Sequence, residues 1–263
     1  MKKIVPKVYL IAETSLVKEN LEKMLSDHGG DIAKMWYDST QAAASSNGEY
    51  LIEVAGRMCY ESYGVGMNPN VTKIRGTSKE YLENILLKGD GSILEHSTVT
   101  FAFLNVSRVF THELARHRVG TAISQESLRY VRPKEIKLWV PPEMENDKDF
   151  VEAVETIENG YKKLEKKYNW DSMDFSLKKI LTSALRRILP DGIATNVIWT
   201  ANHRTIRHVI TMRTSPYAEI EIRKVFDEVA NKMKVRYPLI YQDFERTELP
   251  DGTGSWKPKN IKV

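Results

Sequence analysis

The period of apolar positions changes several times along the chain, and each change predicts an element. The opening "MKKIVPKVYLIAE" has a short apolar run interrupted by Pro6 and Lys7, which predicts a first strand rather than a signal peptide. Residues 13–47 are polar and mixed and predict a helix with a variable loop. Leu51, Ile52, Ala55 and Met58 recur at helical spacing. Thr77 with Glu80 forms a capping box for a helix through Leu87 that Gly89 ends. "TVTFAFLNV" alternates, with Val99, Phe101 and Phe103 on one face, as a strand does. Val106, Val109, Phe110 and Leu114 return to three- and four-residue spacing and predict a helix to Arg116. After the linker "VPPEMENDKD", one amphipathic helix carries Phe150, Val154, Ile157, Tyr161 and Leu164. A second carries Leu177, Ile180, Leu181, Ala184, Leu185 and Ile188 and stops at Pro190. Ser215-Pro216 opens a long helix with Ile222, Val225, Phe226, Val229 and Met233 inward, closing before Pro238. From Arg246 the chain reads as an extended, mobile tail, so the domain runs over 1–245 with 246–263 outside it. Helices and strands do not alternate as regular βαβ units, and the fold class is α+β.

Composition narrows this little. The 263 residues are 41% hydrophobic and 28% charged, an ordinary globular balance with enough chain for a sizeable core. The formal charge of +4 is too small to argue for a general polyanion binder. Cys59 stands alone, which excludes an intrachain disulfide and fits a reducing, cytoplasmic setting. No stretch approaches the roughly 18 apolar residues of a membrane span.

Several chemistries are excluded by spacing. "THELARH" has one residue too many for HExxH, and helical histidines five apart point about 140° away from each other, so no metal site is expected. "GDGSIL" lacks the third glycine of a dinucleotide fingerprint and follows a helix rather than a strand. Ser127 has no GxSxG context. Cys59 reads either as a small core residue or as a side chain lining a cofactor.

Arginine is concentrated in two regions. One holds Arg116, His117, Arg118, Ser127 and Arg129; the other holds Asn202, Arg204, His208 and Arg213; Arg186 lies between them. Any single arginine reads first as a solvated surface group. Together they adjoin apolar runs such as "NVIWTA" and "HVITM", where forked guanidinium donors ordinarily meet phosphate or carboxylate. A nucleic-acid surface would string lysines, arginines and exposed aromatics along one face; a pocket for phosphorylated small molecules fits better.

"RHRVGTAISQESLRY" closely resembles the RHR…S.RY signature of the flavin-dependent thymidylate synthases. "SILEH" before "TVTFAF", "RRILP", and the order Asn202, Arg204, His208, Arg213 resemble further segments of that family, with a weaker echo at "AGRMCYES". The resemblance covers roughly 91–130 and 186–244. It implies an α+β subunit with a central, mostly antiparallel sheet flanked by helices, assembled as a homotetramer with shared active sites. It further implies methylation of dUMP to dTMP with methylenetetrahydrofolate as carbon donor, FAD as redox cofactor and NADPH as reductant. Relatives without methyl transfer, and a nucleic-acid-binding module, are the alternatives; neither nucleic acid nor membrane is an expected partner.

The resemblance also implies roles by position. Glu113, Arg116, Gln125, Glu126, Ser127, Leu128, Arg129, Arg186 and Arg213 would form the dUMP site, with Ser127 and Arg129 on the phosphate. Cys59, Ser92, Arg116, His117, Arg118, Gln125, Asn202, His203, Arg204 and His208 would meet FAD. Arg213 would be catalytic, lying against the uracil ring and favouring negative charge at N3, while hydride from the flavin replaces an enzyme cysteine nucleophile. Three departures stand out. The loop from Arg118 to Ser127 is one residue longer than the commonest family pattern, Asp90 stands where many members have histidine, and Cys59 stands where members often have serine.

Overall fold

The computed structural model describes residues 1–40 and 46–263. Part of the variable loop expected within 13–47, residues 41–45, lies outside the described residues. In chain order the elements are β1 (Lys2–Lys3), β2 (Lys7–Glu13), α1 (Lys18–Thr40, broken at Gly30), α2 (Asn47–Tyr60), α3 (Ser78–Lys88), β3 (Thr98–Ser107), α4 (Arg108–Leu114), β4 (Thr121–Gln125), β5 (Lys137–Leu138), α5 (Lys148–Glu165), α6 (Phe175–Leu185), β6 (Ala194–Asn202), α7 (His203–Arg213), α8 (Ile220–Arg236), β7 (Phe244–Glu248) and β8 (Gly254–Pro258).

The main sheet has the order β2-β3-β6-β4 and is antiparallel throughout, so the α+β expectation with a mostly antiparallel sheet holds. One face is apolar by strand alternation: Val99, Phe101 and Phe103 from β3 and Val197, Trp199 and Ala201 from β6 are almost fully buried. Phe110 of α4 and Phe226 of α8 stack into the same cluster as Phe103, with Trp199 edge-on to Phe226. Truncating one such ring costs about 3–5 kcal/mol. The opposite face shows Thr100, Thr200, Ile198, Ala122 and Ser124, all half- or fully exposed.

Two strand-to-helix junctions position the site. Asn105, at φ 57, lies where the β3–β6 register shifts, and two residues later Ser107 caps α4 by accepting from Phe110 N. Asn202 caps α7 in the same way through Thr205 N. Because β3 and β6 are antiparallel, α4 and α7 start from opposite ends of the sheet. Their C-terminal residues, Glu113 and Arg213, meet in a hydrogen-bonded ion pair.

Local rules located most helices. α3 has the Thr77 cap and the left-handed Gly89 terminus that its sequence predicts. α8 buries all five expected residues, but it starts at Ile220 with Glu219 as its cap, because Ser215 to Ala218 close a turn instead. The helix expected from Val106 starts two residues later, since Val106 and Ser107 still pair with β6.

Three expectations are corrected. In α2, Ile52 is buried as expected, but Met58 is exposed, and beside Tyr50 and Val54 the helix also buries a stripe of Glu49, Glu53 and Arg57. That stripe is charged, so hydropathy missed it; Arg57 pairs with Glu53 at 2.8 Å and lies over the rings of Tyr81 and Trp36. In α6 and the turn that follows it, Leu177, Ile180 and Ile188 face outward although their spacing suggested core. Residues 246–263 do not stand off as a tail. β7 and β8 form a hairpin anchored on Asp227 of α8, whose carboxylate accepts from Arg246 Nη2 (2.9 Å), Gly254 N (2.8 Å) and Trp256 Nε1 (2.7 Å). Trp256 and Val263 join the same buried cluster as Phe101, which draws the 246–263 segment into the fold.

Candidate active site

α7 sorts its polar side chains by helical phase. Arg204 and His208 are four residues apart, hence on one face, and both are exposed into a cleft of about 460 Å³. His203 and Arg207, on the inner side, are fully buried. The turn after α4 brings Arg116, His117 and Arg118 to the same cleft, and Val119 O accepts from Thr205 Oγ1 at 2.9 Å to hold that turn against α7. Gly120, at φ 68, packs so closely on Asn202 and Thr205 that a Cβ there would come within 2.4 Å of Asn202 Nδ2.

Behind the cleft Arg213 makes three bonds. Its Nε donates to His117 Nε2 at 2.8 Å, Nη1 donates to Glu113 Oε2 at 2.5 Å, and Nη2 donates to Glu113 O at 3.0 Å. Arginine can only donate, so His117 Nε2 must carry a lone pair. Burial pushes the His117 pKa down to about 4, and the charges of Arg213 and His208 add to the effect. The rings of His117 and His208 meet edge-on at 5.7 Å. On the rim, Arg204 pairs with Glu95 at 2.6 Å.

Not every expected residue reaches this cleft. The ring of His203 is inside the core, edge-on to Tyr237 at 4.5 Å, with Nδ1 3.2 Å from Tyr241 Oη. Complete burial there drives its pKa down to about 3. Within the motif its ring is a buried wedge, turned away from the cleft lining. Cys59 is exposed on α2, neither core nor among the residues lining the cleft. Ser92 is exposed on the tight Gly91–His96 turn, of which Glu95 and not Ser92 lines the cleft.

The loop after β4 lies at the other end of the sheet. Glu126 N donates to Asn196 O, and Glu126 Oε2 accepts from Asn196 Nδ2 at 2.7 Å. Ser127 Oγ accepts from Arg129 N at 3.3 Å, and Arg129 is exposed. Gln125 is half-buried beside Thr195. Leu128 packs its side chain into an apolar cluster with Ile136, Leu138 and Ile193, so any ligand contact there falls to its backbone. Arg186 lies close enough to Arg108 to lower the latter's pKa, after the larger effect of burial. Along β6, the six residues from Asn196 to Asn202 separate this loop from the cleft, about 20 Å at about 3.4 Å each. One chain therefore holds two cationic centres at opposite ends of a strand.

Some cleft residues had no role assigned from sequence. Glu95 lies inside "SILEH", and its sequence context alone assigns it no role. Pro258, Ile261, Lys262 and Val263 also line the cleft, and nothing in their spacing signals it.

Among the described residues lining the cleft, Arg116, Arg118, Arg204 and Lys262 face the one side-chain carboxylate of Glu95, an excess of side-chain cations suited to an anionic ligand. Comparison with known sequences agrees in kind. The family model described as "Thymidylate synthase complementing protein" matches residues 42–239. Flavin-dependent thymidylate synthases of Mycobacterium bovis (strain BCG) and Mycobacterium tuberculosis are each 37% identical over 217 residues, covering 80% of this chain and 84% of theirs. That of Mycobacterium leprae is 35% identical over 228 residues, covering 82% and 87%.

Proposed function

The chain belongs to the flavin-dependent thymidylate synthase family and is a flavin-dependent enzyme of dTMP synthesis; from that premise we propose that it methylates dUMP with methylenetetrahydrofolate, using FAD and NADPH, in the cytoplasm. The observation that carries this reading is the gathering of Arg116, Arg118 and Arg204 around His117 and His208 in one cleft. The fit to FAD rests on donor chemistry. The forked guanidinium groups of Arg116, Arg118 and Arg204 match a diphosphate.

When bound, the flavin supplies the hydride that reaches carbon 6 of the uracil ring. The chain's own residues do the rest. Arg116, Arg118, Arg204 and Asn202 hold the cofactor. Ser127 and Arg129 bind the nucleotide phosphate, with Arg186, Gln125 and Glu126 completing the nucleotide site. Arg213, fixed by Glu113 and His117, sets a positive charge against the pyrimidine and favours the anionic ring that makes carbon 5 nucleophilic. Cys59 is exposed and away from the cleft lining, which supports a route without a cysteine nucleophile.

The two cationic centres at opposite ends of β6 support a homotetramer whose sites combine the cleft of one copy with the loop of another. The uncovered sheet face around Ile198 and Thr200 is available to such packing. Tritium release from carbon 5 of labelled dUMP, with methylenetetrahydrofolate and NADPH present, tests the activity. A flavin-loaded protein that releases no tritium would leave a relative without methyl transfer.

A further inference from the structure

The 258–263 segment lies outside every motif that carries the family resemblance, yet it forms a wall of the cleft. Pro258, Ile261, Lys262 and Val263 line it opposite Arg116 and Arg118. Their position is built rather than incidental. Arg207, fully buried on α7, donates through Nη1 and Nη2 to the two carboxylate oxygens of Asp243 at 2.8 and 3.0 Å. Asp243 Oδ2 in turn accepts from Asn260 N at 3.2 Å and Nδ2 at 3.1 Å, and Asp243 O accepts from Lys259 N at 2.9 Å. Arg207 Nε reaches on to Val263 O at 3.4 Å. The same helix thus points Arg204 into the cleft and clamps the strap that closes the cleft's side.

Two glycines make room for this strap. A Cβ on Gly89, at φ 80, would meet Lys262 Cβ at 3.1 Å, so the Lys262 stem lies directly on that turn. A Cβ on Gly91 would stand 3.2 Å from Arg204 Nε and 3.6 Å from Val263 Cα. Arg204 and the strap therefore converge on one point of the Gly89–Gly91 turn. Lys262 itself is exposed and has no carboxylate within 4 Å among the described residues, whereas Arg204 is paired with Glu95.

We propose that the 258–263 strap is part of the cofactor site, with Lys262 supplying a cation to the diphosphate of the flavin dinucleotide and Ile261 with Pro258 supplying an apolar wall. The inference rests on the reading of this cleft as the flavin site. Arg207, Asp243 and Asn260 are positioning residues: they act through the strap and do not touch the ligand.

The test is FAD titration by flavin fluorescence on the full-length protein and three variants. Lys262→Glu reverses one exposed charge, removal of residues 261–263 deletes the wall, and Arg204→Ala strikes the cleft itself. For Lys262→Glu the dissociation constant should rise about tenfold, more than the several-fold effect of losing one exposed charge contact, and its dependence on salt should become shallower. The truncated chain should lose at least as much. If Arg204→Ala weakens FAD while Lys262→Glu and the truncation bind it normally, the strap is only structural and the inference fails alone. If all three bind FAD normally, the cleft is not the flavin site and both readings fall. Lys262 is on the surface, so circular dichroism of Lys262→Glu should match the parent and keep the comparison valid should the truncation not fold.

Discussion

Arg213 Nε donates to His117 Nε2 at 2.8 Å across 96 residues of sequence. A guanidinium and an imidazole would repel if both were charged, so this contact requires a neutral His117. Glu113, on the other side of Arg213, supplies the compensating charge. The three residues form a fixed donor array behind the cleft.

Removing the guanidinium should cost turnover more than stability. Arg213 is about 20% exposed, so Arg213→Ala should fold and keep its flavin. Turnover should fall about a hundredfold or more, the scale of deleting a preorganised donor. Near-normal tritium release from Arg213→Ala would refute its role at the pyrimidine.

The His117 ring should titrate near pH 4 rather than near 6.5. Imidazole proton shifts in an NMR titration read this directly. Arg213→Gln should move the midpoint upward, because it removes a neighbouring positive charge; an unmoved midpoint would sink the argument. The linked stability has a definite sign. Between about pH 6.5 and 4 the unfolded chain binds more protons at this site than the folded chain does. Stability from His117 is therefore full above 6.5 and lost as pH falls through that window. His203, held down to about 3 by its burial, acts in the same direction.

Glu49 should oppose them. Burial raises its carboxyl to about 7, against the hydrogen bonds it accepts from Leu239 N and Ile240 N. Its contribution is full below the usual carboxylate pKa and is lost as pH rises toward 7. Glu49→Gln should keep an acceptor for both amides and remove that slope, as read from urea midpoints at pH 5 and pH 8. Glu49→Ala should cost about 1–3 kcal/mol at pH 5, since two buried donors lose their partner.

The Arg207–Asp243 pair is buried on both sides. Asp243→Ala leaves a guanidinium uncompensated in the core and should cost about 3–5 kcal/mol in urea denaturation. A loss below about 1 kcal/mol would mean that the clamp on residues 259–263 is not held by this charge.

Cys59→Ala should retain activity and flavin content, because Cys59 is exposed on α2 and is not among the residues lining the cleft. Iodoacetamide should label Cys59 in the native protein without loss of turnover. Complete inactivation with fold and flavin intact would restore a nucleophilic cysteine.

Local signals were dependable where a stretch of chain specified its own partners. Thr77 and Glu80 capped α3, Gly89 ended it, and the spacing from Ile222 to Met233 gave the buried face of α8. They failed where burial was charged or the partner was distant. The Glu49, Glu53 and Arg57 stripe of α2 looks like a solvated face until Leu239, Tyr81 and Trp36 are brought to it. β6 and α7, with no assigned element in the sequence reading, take their form from pairing with β3 and from the Asn202 cap. His203 sits inside a motif of cofactor residues, yet helical phase turns it into the core beside Tyr241.

The sequence by itself determined the chemistry available: which arginines and histidines recur with polar neighbours in a family pattern, and which apolar spacings make helices. Those are properties of residues within a few positions of one another. Only the tertiary structure decided that Arg213 would meet Glu113, that Arg129 and Arg204 would stand at opposite ends of β6, and that Lys262 would join the cleft. The Arg213–Glu113 contact spans 100 residues, and antiparallel pairing of β3 with β6 creates it. No local periodicity encodes such a meeting, because its free energy comes from packing two helices on one sheet face rather than from either segment alone.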